Sequence, residues 1–274
     1  MGLDLDGTLY ALDSSIIDLS LTLFPWAPHE RSRAAVKMNT LLDVQSAIPV
    51  LIDITGAHSG DSHVLDRIVH EPGCFIVMDR GYIDFPRLYR LHQALAYFVI
   101  RAKHNLQFRR RQSHPVDRAT GVRSDQTIIL TGKHTVQNFP VLLRRVSFYA
   151  ADSDQRFVFL TNNFQIPSPV VAAIYHQRWQ IELFFKWIKQ HLRIKRFYGT
   201  SPNAVKTQIW TAMATYALIA TAKKRLGLEH SLYTILQILS TVLFEKTPIQ
   251  LVFQRYNDEI SNTVRPNQLT LFDI

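Results

Sequence analysis

Tyr175, Arg178, Glu182 and Lys189 follow one another at spacings of three, four and seven residues. An α-helix turns about 100° per residue, so these four side chains share an arc roughly 60° wide. Ile174, Ile181, Leu183, Phe184, Phe185, Trp187 and Ile188 fill the other side and read as a core-facing stripe. One carboxylate, two cations and a phenol therefore occupy a single face. A lone carboxylate among cations suits a site that holds a metal ion and an anionic polymer at once.

Two more carboxylates are placed for the same chemistry. Cys74-Phe75-Ile76-Val77-Met78 is a short apolar run of the kind found in a strand buried on both faces, and Asp79 follows it. Thr8 to Leu12 and Ile16 to Phe24 read as two strands parted by a polar turn at Asp13-Ser14-Ser15, so Asp13 is expected at a strand end. Taken singly, a strand-end aspartate is usually a turn former and a helix-face glutamate is usually just solvated. Jointly, Asp13, Asp79 and Glu182 would offer oxygen ligands at about 2 Å to hard cations such as Mg²⁺ or Mn²⁺. Two such ions about 3.5–4 Å apart activate a water or 3′-hydroxyl and stabilise the leaving oxygen in phosphoryl transfer. Without cations, three like charges at close range repel strongly.

The elements that would position these groups read in order as strands, helix, strand, helix, a β-rich stretch, then helices. Val36 to Val44 and Ile48 to Thr55 are predicted strands, Val64 to Val69 and Phe85 to Leu95 predicted helices. Short β-like pieces follow at Tyr97 to Ala102, Gln126 to Thr131, Leu142 to Tyr149 and Arg156 to Thr161. Pro167 to Pro169 closes this stretch. One helix is expected from about Val170 to His191, with others at Lys206 to Arg225 and Ser231 to Phe244, and the tail after Lys246 is weakly patterned. The fold class is α/β with an antiparallel start.

With 47% hydrophobic and 19% charged residues among 274, the chain is that of a folded globular protein. Its formal net charge of +9 favours polyanionic partners, nucleic acid first. Arg101, Lys103, Arg109, Arg110 and Arg111 form one basic cluster, and Lys186, Lys189, Arg193, Lys195 and Arg196 continue down the Glu182 helix. Each phosphate contact from such groups would steepen the salt dependence of binding. The single Cys74 excludes an intramolecular disulfide and a cysteine-based zinc site. No signal peptide is visible. The most apolar helical stretch, Ile209 to Ala222, is shorter than a bilayer crossing and contains three threonines.

Leu12-Asp13-Ser14-Ser15, Val77-Met78-Asp79-Arg80-Gly81-Tyr82 and Tyr175-x2-Arg178-x3-Glu182-x6-Lys189 together resemble the Asp-Asp-Glu (DDE) transposases of bacterial insertion sequences. The group resembled bears the Tyr-Arg-Glu-Lys signature, and the likeness runs from Asp13 to about Phe244. It implies a ribonuclease-H-like core with a β-rich insertion between the second Asp and the Glu. Residues 1–96 would be the first part of the core, 97–165 the insertion, 166–245 the helical second part and 246–274 a tail. By the same resemblance Asp13, Asp79 and Glu182 are catalytic and hold Mg²⁺, with Mn²⁺ as substitute and two ions in all. Tyr175, Arg178 and Lys189 would contact phosphates near the transposon end, with Lys186, Arg193, Arg109, Arg110 and Arg111 adding DNA contacts. The partners implied are double-stranded transposon ends and target DNA, and a second copy in a synaptic homodimer, with no membrane. The location implied is the bacterial cytoplasm, at the nucleoid.

Ser15 and Gly60-Asp61 depart from the family's Asp-Ser-Thr or Asp-Thr-Thr and His-Asp patterns. Family members usually carry a further region before the first Asp, so an N-terminally truncated transposase is the expectation. A non-catalytic DNA-binding remnant or inhibitor of transposition is the alternative. Asp4-Leu5-Asp6-Gly7-Thr8 also resembles the nucleophile motif of haloacid-dehalogenase-type phosphatases, but no apolar strand leads into Asp4.

Overall fold

The apolar stretches on either side of Asp13-Ser14-Ser15 form one unbroken strand, β1 (Leu9–Leu19), and the expected turn between them is absent. After it come β2 (Pro28–Glu30), β3 (Arg33–Asp43) and β4 (Ile48–Gly56). β1 pairs antiparallel with β3 along its length, from Tyr10↔Asp43 to Leu19↔Ala34. That continuous ladder overrides the local turn preference of Asp and Ser. Next are β5 (Phe75–Met78), α1 (Phe85–Gln93) and β6 (Tyr97–Arg101). β5 lies parallel to β1 on one side and to β6 on the other.

β4 pairs with β3, so the strands run β4-β3-β1-β5-β6 across the sheet. Three antiparallel strands followed by two parallel ones is the ribonuclease-H-like arrangement that the resemblance implies. β7 (Phe108–His114), β8 (Val122–Leu130), α2 (Thr135–Asn138), β9 (Leu143–Ala150) and β10 (Gln155–Thr161) come next. Their strands are antiparallel to one another, and β10 pairs with β6, so the β-rich stretch extends the same sheet to ten strands. β7 is a strand the sequence pattern does not announce: Arg109 to Ser113 are exposed and lack apolar alternation.

α3 (Ser168–Gln177) and α4 (Trp179–His191) replace the single helix expected from Val170. α5 (Pro202–Leu226), α6 (Leu232–Val242) and α7 (Ile249–Thr263) are the last elements among the described residues, α7 falling in the tail that reads as weakly patterned. Between β4 and β5, Asp61–Arg67 forms a 3₁₀ helix where an ordinary helix was expected. The computed structural model describes residues 5–31, 33–69, 71–192, 194, 196–242 and 244–263. They form two compact units, Met1–Ala212 and Met213–Ile274. The second has its own small core of Ile219, Ile235, Ile238, Val252 and Phe253. Among the described residues no helix is long and apolar enough to cross a membrane.

In the first unit both faces of the sheet are covered. Leu12, Ile76, Met78, Phe98, Ile100 and Leu160 pack with Leu88 and Leu91 of α1 and with Phe139. Residues alternate across a strand, so Ala11, Val77, Val99 and Phe159 face the other way. There α3 packs on β5, β6 and β10, and α4 packs on β1. The approach to α3 is pinned by a buried pair: Arg144 makes two hydrogen bonds to Asp125, at 3.0 and 2.6 Å, and a third from Nη1 to the Ile166 carbonyl at 2.6 Å. Both side chains are under a tenth exposed.

Asp125→Ala should leave Arg144 charged, buried and unpaired. The expected cost is about 3–5 kcal/mol, read as a lowered urea midpoint by a probe in the first unit, such as fluorescence of Trp26 with the other tryptophans replaced.

Candidate active site

Asp13 and Asp79 stand side by side because β1 and β5 are parallel neighbours in the register Leu12↔Met78. Each aspartate is the next residue along. Leu12 and Met78 turn into the core beneath α1, so the aspartates turn to the opposite face, where α3 and α4 lie. Asp13 therefore sits within a strand, whereas Asp79 caps the end of β5 and opens the 3₁₀ turn Arg80–Tyr82.

The helix pair brings the rest. Arg178 lies at the junction of α3 and α4, where the backbone tightens: Arg178 N–H donates to the Tyr175 carbonyl and Ile181 N–H to the Arg178 carbonyl, at 3.1 and 3.2 Å. These are i→i−3 bonds, so the helix breaks in hydrogen bonding while Arg178 keeps helical dihedrals of −53° and −29°. Glu182 falls in the first turn of α4, where a negative charge is favoured. Ile174, Ile181, Phe184, Phe185 and Ile188 are buried as expected, whereas Leu183 is exposed.

Arg178 bridges two of the three carboxylates. Its Nη1 donates to Asp13 Oδ2 at 3.0 Å and its Nη2 to Glu182 Oε1 at 2.5 Å. Asp13 Oδ1 accepts from the Ser14 backbone N–H at 2.8 Å. Tyr175 Oη donates to Asp79 Oδ1 at 3.2 Å, and its ring packs on Phe159 with centroids 4.6 Å apart. Among the described residues no three His, Cys, Asp or Glu side chains are placed so as to hold a metal ion as they stand. The guanidinium lies between Asp13 and Glu182 instead. Burial pushes the Asp13 carboxyl up from 3.8 to about 6; Ser14 and Arg178 oppose this, and the charges of Glu182 and Asp79 add to it. Burial and the Asp79 charge likewise push the Tyr175 phenol up.

A cavity of about 410 Å³ opens beside Asp79, lined by Phe148, Phe157, Phe159, Trp179, Arg101 and Arg178 among others. Arg101 stacks over Phe157 at 5.1 Å, and Trp179 is exposed. The alternating Phe157-Val158-Phe159 pattern was the available signal for its aromatic wall.

On the other face of β1, directly behind Asp13, Ser14 Oγ donates to Asp61 Oδ1 at 3.3 Å. Lys37 Nζ reaches the same oxygen at 2.7 Å and the Ser59 carbonyl at 2.6 Å. The sequence carries only a faint trace of this cluster, the Gly60-Asp61 pair.

The remaining basic residues spread outward. Lys189 lines a different cavity with Ile16, Ile17, Asp18 and Ile194. Lys186 is exposed on α4, and Arg109, Arg110 and Arg111 are exposed on β7, an edge strand of the sheet. Arg193 and Lys195 lie outside the described residues, as does Asp4 of the phosphatase-like motif.

A ribonuclease-H-like sheet with aspartates on neighbouring strands and a glutamate on the covering helix is the pattern of a DDE-type transposase. The chain belongs to that family: residues 4–218 match the family described as "Transposase DDE domain". A protein of Sinorhizobium fredii named as transposase y4zB is 34% identical over 245 residues, covering 88% of this chain and 68% of its own. One of Geobacillus stearothermophilus, named as a transposase for insertion sequence element IS5377, is 29% identical over 77% of this chain and 55% of its own. One of Synechocystis, named as a transposase for insertion sequence element IS4SA, is 28% identical over 77% of this chain and 59% of its own. The chain thus spans between about half and two thirds of these relatives' lengths. Its fold is similar to that of a piggyBac transposase solved as a synaptic complex with hairpin DNA, with a TM-score of 0.51 at 11% identity over 97% of this chain and 59% of that one.

The raised Asp13 carboxyl makes stability depend on pH. An unfolded aspartate gives up its proton near 3.8, whereas folded Asp13 keeps it to about 6. The folded chain is favoured below that window and loses up to about 3 kcal/mol as pH rises through it. Urea midpoints from about pH 4 to 7 in chelated buffer should fall accordingly, and Asp13→Asn should flatten that part of the profile.

Proposed function

We propose that the chain carries the catalytic centre of a DNA transposase, cutting phosphodiester bonds at insertion-sequence ends and joining the freed 3′-hydroxyl to target DNA with divalent metal ions. What supports this reading is that Asp13 and Asp79 each follow the paired Leu12 and Met78 on neighbouring strands, and that Arg178 joins Asp13 to Glu182 of the covering helix. The donors suit the ion. All three are hard oxygen ligands of the kind Mg²⁺ and Mn²⁺ prefer, and a cation, the Arg178 guanidinium, already stands between two of them. Asp13, Asp79 and Glu182 would hold the metal, in two ions as the family resemblance implies. Bound there, the metal supplies Lewis-acid charge and lowers the pKa of an attacking water or hydroxyl.

The chain's own groups do the rest. Burial pushes the Asp13 carboxyl up to about 6, and an approaching cation would favour its ionised form. Tyr175 holds Asp79 in place. Arg178, with Lys189 and Lys186 further along α4, presents cations to the DNA backbone. Arg109, Arg110 and Arg111 give the sheet edge a basic rim, where phosphate contacts position the duplex without reading sequence. The aromatic cavity beside Asp79 is of a size to receive an unpaired base, stacked against Trp179 or Phe157. A synaptic homodimer would bring two transposon ends together, in the cytoplasm at the nucleoid.

A non-catalytic DNA-binding role is the second reading, favoured by the Arg178 bridge that keeps the carboxylates from an ion. Mn²⁺-dependent nicking of supercoiled plasmid separates the two. Asp79→Ala should lower nicking about a thousandfold or more while DNA binding by gel shift persists; equal nicking by the variant rejects the metal role. Replacing Arg109, Arg110 and Arg111 with Ala should weaken binding and lower the slope of log K against log salt by about 3.

A further inference from the structure

We propose that Arg178 is a resident cation that a divalent ion must displace, and that this displacement couples ion binding to DNA binding. The inference rests on the reading of Asp13, Asp79 and Glu182 as ion ligands.

An i,i+4 pair between Arg178 and Glu182 alone would be an ordinary helix-surface contact. The contact to Asp13, 165 positions away in the chain, makes it a bridge between helix and sheet. The guanidinium holds one oxygen of each carboxylate, at 3.0 and 2.5 Å. Charge-assisted bonds of this kind are strong. Those same carboxylates are the ones an ion would need, and a divalent ion and a guanidinium repel each other across so short a gap. The two cations therefore exclude one another.

The bridging position is also an incomplete one for the arginine. Arg178 Nε is buried and makes no hydrogen bond in the structure, and a buried donor without a partner is costly. Room to leave exists on the adjoining side, because Arg178 lines the cavity it shares with Asp79, Arg101 and Tyr175. A DNA phosphate at the mouth of that cavity would offer the guanidinium two matching acceptors. Phosphate and ion then pull in the same direction. DNA draws Arg178 off the carboxylates and so tightens ion binding, and by linkage the ion tightens DNA binding by the same factor. In the absence of DNA the bridge disfavours an ion-loaded, hydrolytically competent site.

The test is Mn²⁺ binding to the full chain by electron paramagnetic resonance, with and without a short DNA duplex. Without DNA, Arg178→Ala should bind Mn²⁺ at least about tenfold more tightly than wild type, with Arg178→Gln between them. The duplex should tighten Mn²⁺ binding by wild type by several-fold and leave both variants unchanged. Thermal unfolding provides a second readout: Mn²⁺ should raise the melting temperature of the variants more than that of wild type. Equal or weaker Mn²⁺ binding by variants that remain folded overturns the proposal, as does an equal effect of duplex on all three proteins. Should Arg178→Ala fail to fold, Arg178→Gln, which removes the charge and shortens the side chain but keeps an aliphatic stem and an amide donor, decides. Asp79→Ala is the control for the underlying reading. If it leaves Mn²⁺ binding intact, the ion sits elsewhere and the metal assignment itself fails, whatever the Arg178 variants do.

Discussion

Two aspartates on adjacent parallel strands, each one residue past the paired Leu12 and Met78, set the terms for everything around them. Unit charges about 4 Å apart interact by about 4 kcal/mol at a surface-like dielectric of about 20. A third carboxylate arrives from α4. Such a cluster persists only if protons or cations offset it. Burial pushes the Asp13 carboxyl up to about 6, which favours the proton, and Arg178 supplies the cation by bridging Asp13 to Glu182. Register is what enforces the cluster. A one-residue slip of β1 against β5 would send Asp13 to the α1 face, and the burial of Leu9, Ala11 and Leu12, with β3 paired on the other edge, opposes it.

The helix pair owes its position to contacts remote from the carboxylates. Val171, Ile174, Ile181 and Ile188 are fully buried, which fixes the depth of α3 and α4 against the sheet. Arg144 ties the Ile166 carbonyl to the strand carrying Asp125 and so sets where α3 begins. At Arg178 the helix tightens to i→i−3 bonds between α3 and α4. From there Arg178 reaches Asp13, while Tyr175, one turn earlier, reaches Asp79. Behind the sheet, Lys37 and Asp61 hold Ser14 from the other side of β1, so the strand that carries Asp13 is gripped on both faces.

Much of this was readable in the sequence, for definable reasons. The apolar run before Asp79 and the helical spacing of Tyr175, Arg178, Glu182 and Lys189 are local patterns; the strand formed where it is expected, and the helical stretch formed over the expected span but as two helices, α3 and α4. The continuity of β1 through Asp13-Ser14-Ser15 was not readable, because it depends on a ten-residue ladder with β3 that no local rule sees. β7 was invisible because its arginines carry no apolar face; it is a strand only because β8 pairs with it. The break at Arg178 escaped notice because the side-chain pattern continues smoothly through it. Lys37 and Asp61 are distant in sequence from the carboxylates, and only the antiparallel return of β3 brings Lys37 to the back of the site. Local chemistry was legible; long-range pairing was not.

A basic chain with an acidic centre poses one further problem. Its net charge of +9 attracts DNA, yet the carboxylates would repel the very phosphate that must be cut. The exposed arginines of β7 and the exposed Lys186 of α4 can draw the backbone to the rim over roughly a Debye length, but they do not neutralise the centre. Only cations among the carboxylates do that. The Arg178 guanidinium between Asp13 and Glu182 stabilises the cluster but has no open coordination site with which to polarise a phosphoryl oxygen. A metal ion offers that site. On the proposed reading, the choice of cation between Asp13 and Glu182 then decides whether the same fold merely holds DNA or can cut it.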